Sequence, residues 1–179
     1  MAYETATLFF ALLAGALGLL LVGLGALAIF DRDDRTGIRA SVRSVALEAA
    51  AAIAVACTAG SLYLSEVAGF LPCRLCWVQR AFMYPAAALL VLALVTKQRV
   101  LATIAAVLAV LGLPVALFHR YEQAAGEVGG VCDPTNPCSG RWINHFGFVT
   151  IPTMAAVGFL AILVFVVMDR RDDEKRSVS

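Results

Sequence analysis

Four of the five cysteines fall in two close pairs, so thiol chemistry is what this sequence offers first. Cys73-Arg74-Leu75-Cys76 has CxxC spacing, and Cys132 is followed by Cys138 across a segment containing Pro134 and Pro137. A thiolate of one such pair can attack the disulfide of another and so pass two electrons along. Leu71-Pro72 precedes Cys73 and an apolar run resumes at Trp77, which puts Cys76 at or near a helix N-terminus. Free N–H groups and the helix dipole there favour a thiolate. Arg80 follows one turn deeper on the same face, and an ionisable residue in such a segment is a functional candidate. The competing reading is an arginine that snorkels to the headgroups. Cys57 sits mid-run among Ala and Val with no His or acid beside it, and is expected to be an inert apolar filler.

Other cysteine chemistries fit less well. The two pairs together have the ligand count for tetrahedral zinc, but the proline-bearing second spacing and the lipid-facing first pair argue against a metal. Covalent haem needs His after the second Cys of CxxC, and Trp77 stands there. No soluble βαβ setting surrounds the motif, so thioredoxin itself is excluded. Two purely structural staples remain as an alternative, although loops anchored by flanking helices have little need of them.

The elements that carry these residues are membrane helices. Of 179 residues 61% are hydrophobic and 15% charged, and that apolar excess has no place to hide in a water-soluble globule. Fourteen Lys+Arg nearly cancel 13 Asp+Glu, which excludes nucleic-acid binding through a basic field, and the apolar content excludes disorder. Five blocks predict spans: Leu8–Phe30, Val45–Leu64, Ala81–Thr96 (starting near Trp77), Val100–Phe118 and Phe148–Met168. The first is 23 residues without a charge, enough to cross a bilayer as a helix. It lacks the basic n-region of a signal peptide, so a retained helix is expected. Small residues recur every four positions (Ala11/Gly15, Ala14/Gly18; Ala52, Ala56, Gly60), a pattern that permits close helix contact.

Charge sets the orientation. Arg32, Arg35, Arg39, Arg43, Lys97, Arg99, Arg170, Arg171, Lys175 and Arg176 fall on one side of five spans, against Arg74, Arg80, Arg120 and Arg141 on the other. The positive-inside rule makes the first side, with the C-terminus, cytoplasmic. The N-terminus and both cysteine pairs are then extracytoplasmic, where disulfides persist. A membrane-embedded dithiol beside an arginine and aromatic residues suggests a lipid-soluble quinone as final electron acceptor.

Pro72-Cys73-Arg74-Leu75-Cys76-Trp77-Val78-Gln79-Arg80 with Met83-Tyr84-Pro85 closely resembles the signature of the DsbB family of membrane thiol:quinone oxidoreductases, nearest its BdbC-like branch. Pro137-Cys138-Ser139-Gly140, Trp142-Ile143-Asn144 and Phe146 to Pro152 resemble that family's run into its last helix. The resemblance implies an all-α integral membrane four-helix bundle with one extra N-terminal transmembrane helix. Residues 1–43 would hold that helix and a cytoplasmic connection, 44–168 the thiol oxidase core, and 169–179 a charged cytoplasmic tail. It implies a disulfide-forming enzyme of the bacterial inner membrane. That enzyme would reoxidise a soluble or anchored DsbA-like thioredoxin-fold protein and pass the electrons to ubiquinone or menaquinone.

Carried over by position, Cys73 and Cys76 are the quinone-proximal pair, with Cys76 the thiolate that contacts quinone. Arg80 assists quinone binding, and His119 resembles a histidine near the quinone. Cys132 and Cys138 are the shuttle pair that meets the partner. Partner attack is expected at Cys132, which follows the pliant run Glu127-Val128-Gly129-Gly130-Val131. Trp77, Tyr84 and Trp142 are candidate walls of the quinone pocket, or else belt aromatics. Gln79 stands where some relatives carry an acid. The alternatives are a vitamin K epoxide reductase-like quinone reductase and a membrane subunit whose disulfides are structural.

Overall fold

A computed structural model describes residues 2–30, 37–126, 130–133 and 135–178. Its helices are α1 (Ala2–Phe30), α2 (Ile38–Ser44), α3 (Ala46–Leu62), α4 (Arg74–Thr96), α5 (Arg99–Ala125) and α6 (Ile151–Val178). Among the described residues, five stretches are long and apolar enough to cross a membrane: Glu4–Phe30, Ala46–Val67, Arg74–Thr96, Arg99–Ala125 and Ile151–Arg170. Only two isolated β-bridges occur among the described residues. The chain is an all-α integral membrane bundle.

Helices α3, α4, α5 and α6 form a closed ring in which each packs on the next, and α1 lies outside it against α6. Small residues let the ring close tightly. Ala46, Ala50 and Ala54 line one buried stripe of α3, and Ala102, Ala105 and Ala109 line one of α5. The stripe expected at Ala52, Ala56 and Gly60 is different: Ala52 and Ala56 are exposed, while Gly60 lies under the Phe10 ring of α1. Of the α1 small residues Ala11 is buried, whereas a Cβ added at Gly15 or Gly18 would meet nothing. Outward leucines and valines such as Leu19 and Val22 face what would be lipid.

The third and fourth spans run past their expected limits. Helix α4 begins at Arg74, and α5 continues through His119, Arg120, Glu122 and Gln123 to Ala125. Hydropathy falls at those polar residues, but His119 and Gln123 find partners inside the protein, so the helix continues. The short helix α2 and a π-helical turn at Tyr63–Val67 had no counterpart in the sequence pattern.

Two tight turns set the ends. Lys97 in the left-handed region reverses the chain between α4 and α5. At the other end His145 and Val149 exchange backbone hydrogen bonds around Phe146 and Gly147, both at positive φ, just before α6. The two ends differ in chemistry. Arg99 pairs with Asp169 at 2.5 Å, and Arg170 donates to the Thr103 hydroxyl, at the end opposite the four paired cysteines. Arg32 and Arg35 lie outside the described residues.

Gly112 of α5 meets the fully buried ring of Phe159, to which an added Cβ would come within 2.4 Å. Gly112→Ala should therefore destabilise the bundle by about 1–3 kcal/mol, as overpacking does. This would register as a lower unfolding midpoint in detergent. Gly25→Ala, where a Cβ meets nothing, should not lower it.

Candidate functional site

The site begins at the N-terminus of α4. Pro72 ends the preceding loop, and Cys73 takes the N-cap position with extended backbone (φ −72°, ψ 173°). Its Sγ accepts from the Cys76 backbone N–H at 3.3 Å, so the helix terminus serves Cys73 directly. Cys76 occupies the first helical turn, and its Sγ is 2.8 Å from that of Cys73.

His119 of α5 is 2% exposed and joins three segments. Its Nε2 donates to the Cys138 carbonyl at 3.2 Å and lies 3.6 Å from Cys73 Sγ. A carbonyl only accepts, so Nε2 carries the proton, and Nδ1 accepts from the Gln79 amide at 2.9 Å. The same imidazole N–H thus faces the Cys73 sulfur. The hydrogen bond with the Cys76 thiol pulls the Cys73 thiol down to about 4, aided by His119 and opposed by burial.

Cys132 and Cys138 are joined in a disulfide. Between them Asp133 accepts from the Thr135 N–H at 2.8 Å and from its hydroxyl at 2.7 Å, which holds its carboxyl below the usual range. The loop is fastened to the CxxC segment by Asn136 Nδ2 donating to Pro72 O at 3.1 Å and by Arg74 donating to Val131 O at 3.3 Å. Gln123 holds its far side through Gly140 O. Cys138 is 1% exposed and clusters with Cys73 and Leu75, whereas Cys132 is half-buried. Residues 127–129 of the run before Cys132 lie outside the described residues.

A cavity of about 490 Å³ opens beneath these groups. Cys73, Cys76, Gln79 and His119 line its polar end, with Ser61, Arg80 and Tyr84 beside them. Arg80 donates through Nε to Ser61 Oγ and through Nη2 to Ser61 O, both at 2.9 Å, and Tyr84 OH donates to the same Oγ at 3.2 Å. The π-helical turn widens the chain just beyond Ser61, as such turns often do at functional sites. Trp77 lies 5.2 Å from the Arg80 guanidinium carbon, a cation–π distance, and is absent from the cavity wall. Trp142, stacked on Phe70, and Tyr84 do line it.

Gln123 Oε1 also belongs to this wall and is a buried acceptor with no partner among the described residues. The remainder is apolar, including Met83, Met154 and Cys57, whose sulfur covers Gly158 of α6. Polar groups at one end, the Arg80 cation among them, and apolar walls at the other fit an amphiphile with a polar head. Separately, the Cys73 and Cys76 sulfurs and a His119 ring nitrogen lie within 4.8 Å of one another, a donor set that a soft metal ion can use when the thiols are reduced.

Sequence reasoning named Cys73, Cys76, Arg80 and His119, and the structure brings all four to one cavity. It missed Ser61 as the Arg80 anchor and Gln79 as the His119 partner. The i, i+4 spacing of His119 and Gln123 was a usable signal.

Residues 43–168 match the family model described as disulfide bond formation protein DsbB. The chain belongs to the DsbB family. This DsbB-family chain is 45% identical over 109 residues to a probable disulfide formation protein C 1 of Bacillus anthracis, covering 60% of this chain and 78% of that one. It is 38% identical over 125 residues to disulfide bond formation protein C of Bacillus subtilis, covering 69% and 91%. A probable disulfide formation protein of Metapseudomonas resinovorans is 34% identical over 122 residues, covering 66% and 85%. No solved structure gives a significant match. As a DsbB-family member the chain is a membrane disulfide bond formation protein, a thiol:quinone oxidoreductase that needs a thiol oxidase partner.

The depressed Cys73 thiol can be checked directly. In the reduced protein it should be alkylated by iodoacetamide at a rate nearly flat from about pH 5 to 8, because a thiol with its pKa near 4 is already ionised there. An ordinary thiol, with its pKa near 8.5, slows about tenfold per unit below that value. His119→Ala should move the Cys73 profile toward the ordinary one.

Proposed function

We propose that electrons enter at Cys132–Cys138, pass to Cys73–Cys76, and leave to a quinone bound in the cavity beside Arg80 and His119. The observation that carries this reading is the asymmetry of the shuttle disulfide: Cys132 is half-buried at the edge of the cluster in which Cys138, 1% exposed, is buried with Cys73. A partner thiolate attacks Cys132, the Cys132–Cys138 bond breaks, and Cys138 leaves as thiolate. The second partner thiol resolves the mixed disulfide, and the partner departs oxidised. Cys138 then attacks Cys73, the Cys73–Cys76 bond breaks, and Cys76 is released as a thiolate facing the cavity. Attack by Cys132 on the Cys73–Cys138 bond restores the shuttle disulfide and leaves Cys73 and Cys76 as a dithiol carrying two electrons. A quinone bound in the cavity supplies the acceptor for two electrons and two protons.

The partner is a DsbA-like thioredoxin-fold protein, whose groove can take the segment before Cys132 as an extended strand. The setting is a bacterial inner membrane. The basic residues make the Arg99 end cytoplasmic and leave both cysteine pairs outside. The thiol oxidase core is residues 44–168, flanked by the extra helix and connection of 1–43 and the charged tail of 169–179. Ubiquinone and menaquinone share the head chemistry that the polar end supports.

Cys138→Ser should hold the partner as a mixed disulfide through Cys132, read by peptide mapping with Cys132→Ser run beside it. Trapping only in Cys132→Ser, through Cys138, would reverse the order. Arg80→Ala should raise the KM for quinone more than the KM for the partner in a purified coupled assay. Equal effects on the two would return Arg80 to a structural role.

A further inference from the structure

The first helix lies outside the family match, which begins at residue 43, and yet it lines one wall of the cavity. Phe10, Leu13, Ala14, Leu17 and Leu20 of α1 face Ile53, Ala56 and Gly60 of α3 across that space. The contact is specific at its outer end. The Phe10 ring covers Gly60, where an added Cβ would lie 3.1 Å from it, and stands 6.0 Å from the Tyr63 ring. Thr7 donates to Glu4 O at 2.9 Å and accepts from His145 Nε2 at 3.1 Å, which fastens α1 to the turn before α6. Deeper in, Leu24 is buried in the main core. From Phe10 to Leu20 the wall runs about 15 Å along the helix axis at 1.5 Å per residue. The polar groups, by contrast, are confined to the end near Ser61, Arg80 and His119.

A space with this profile takes a molecule with a polar head and a long apolar chain. We propose that α1 is part of the quinone site: Phe10 and Ala14 close it beside the head, while Leu17 and Leu20 flank the isoprenoid chain. The proposal rests on the quinone reading above and adds a binding surface to the family core. Helix α1 selects by chain fit and shields the site from lipid, and it takes no part in electron transfer.

Photolabelling of the full-length protein with an azidoquinone, followed by peptide mapping, reads the contact without turnover. Label that an unlabelled long-chain quinone competes away should appear in the α1 peptide containing residues 7–20. Ala14→Phe, which fills the wall, should weaken quinone competition about tenfold, near 1.4 kcal/mol. It should leave formation of the Cys138→Ser partner adduct unaffected when the two changes are combined. Leu19→Phe, on the outward face and 76% exposed, should behave as wild type. Saturable label found only in α3 to α6, with quinone reduction intact, would overturn the role of α1 and leave the enzyme reading standing. No saturable label and no quinone reduction by the wild-type protein would overturn both.

Discussion

The buried imidazole of His119 is the contact on which the rest of the site depends. A polar ring in a low-dielectric interior must have both nitrogens satisfied, because an orphaned group there costs on the order of several kcal/mol. Its two partners come from elsewhere in the chain: the Gln79 amide of α4 and the Cys138 carbonyl of the loop. Burying the outer end of α5 therefore requires α4 to sit at hydrogen-bond distance and the loop to lie over the CxxC turn. The nearness of Cys138 to Cys73 follows from that requirement. Sulfur chemistry then uses a spacing that helix packing has already set.

Arg80 is a second constraint of the same kind. A charged side chain at the centre of a membrane helix costs about 2.5–3.5 kcal/mol on insertion scales, and Arg80 lies less than two turns from a helix end. Hydrogen bonds from a charged donor contribute about 1.5–3 kcal/mol each, and Arg80 makes two of them to Ser61. The Trp77 face adds to these, so among the described residues the cation is held in place without a carboxylate. That choice leaves its positive field available to the cavity, where an acid partner would have cancelled it. The same bonds tie α3 to α4 at the π-helical turn, so the cation also shapes the outer end of the bundle.

What was legible in the sequence is what is local. Hydropathy over 20 residues marks a span, and Cys76 to Arg80 is one helical turn, so five helices and the CxxC–Arg face could be read directly. The Gln79–His119 pair joins residues forty positions apart, and no periodicity records such a contact. Helix α5 extends past its hydropathy limit for a related reason. Polar residues such as His119 and Gln123 look like the end of a span until their buried partners are known. The place of α1 was hidden more deeply, because an apolar residue facing lipid and one facing a cavity have the same composition. Leu17 and Leu19 are the same residue type, and only the first faces the cavity.

The loop carrying Cys132 and Cys138 is fastened by Asn136 to Pro72 and by Arg74 to Val131, and neither bond involves sulfur. Opening the disulfide breaks neither of them, so both remain available to hold the loop when the pair is reduced. In the proposed relay, exchange between Cys138 and Cys73 is then a first-order event within one molecule. Tethered groups experience effective concentrations of about millimolar for flexible links and far higher when well aligned. In that relay a partner in solution would compete from a much lower concentration, so the encounter at Cys132 would set the pace. Abundance of the partner, rather than affinity within the relay, would then govern how fast the membrane draws electrons from its substrates.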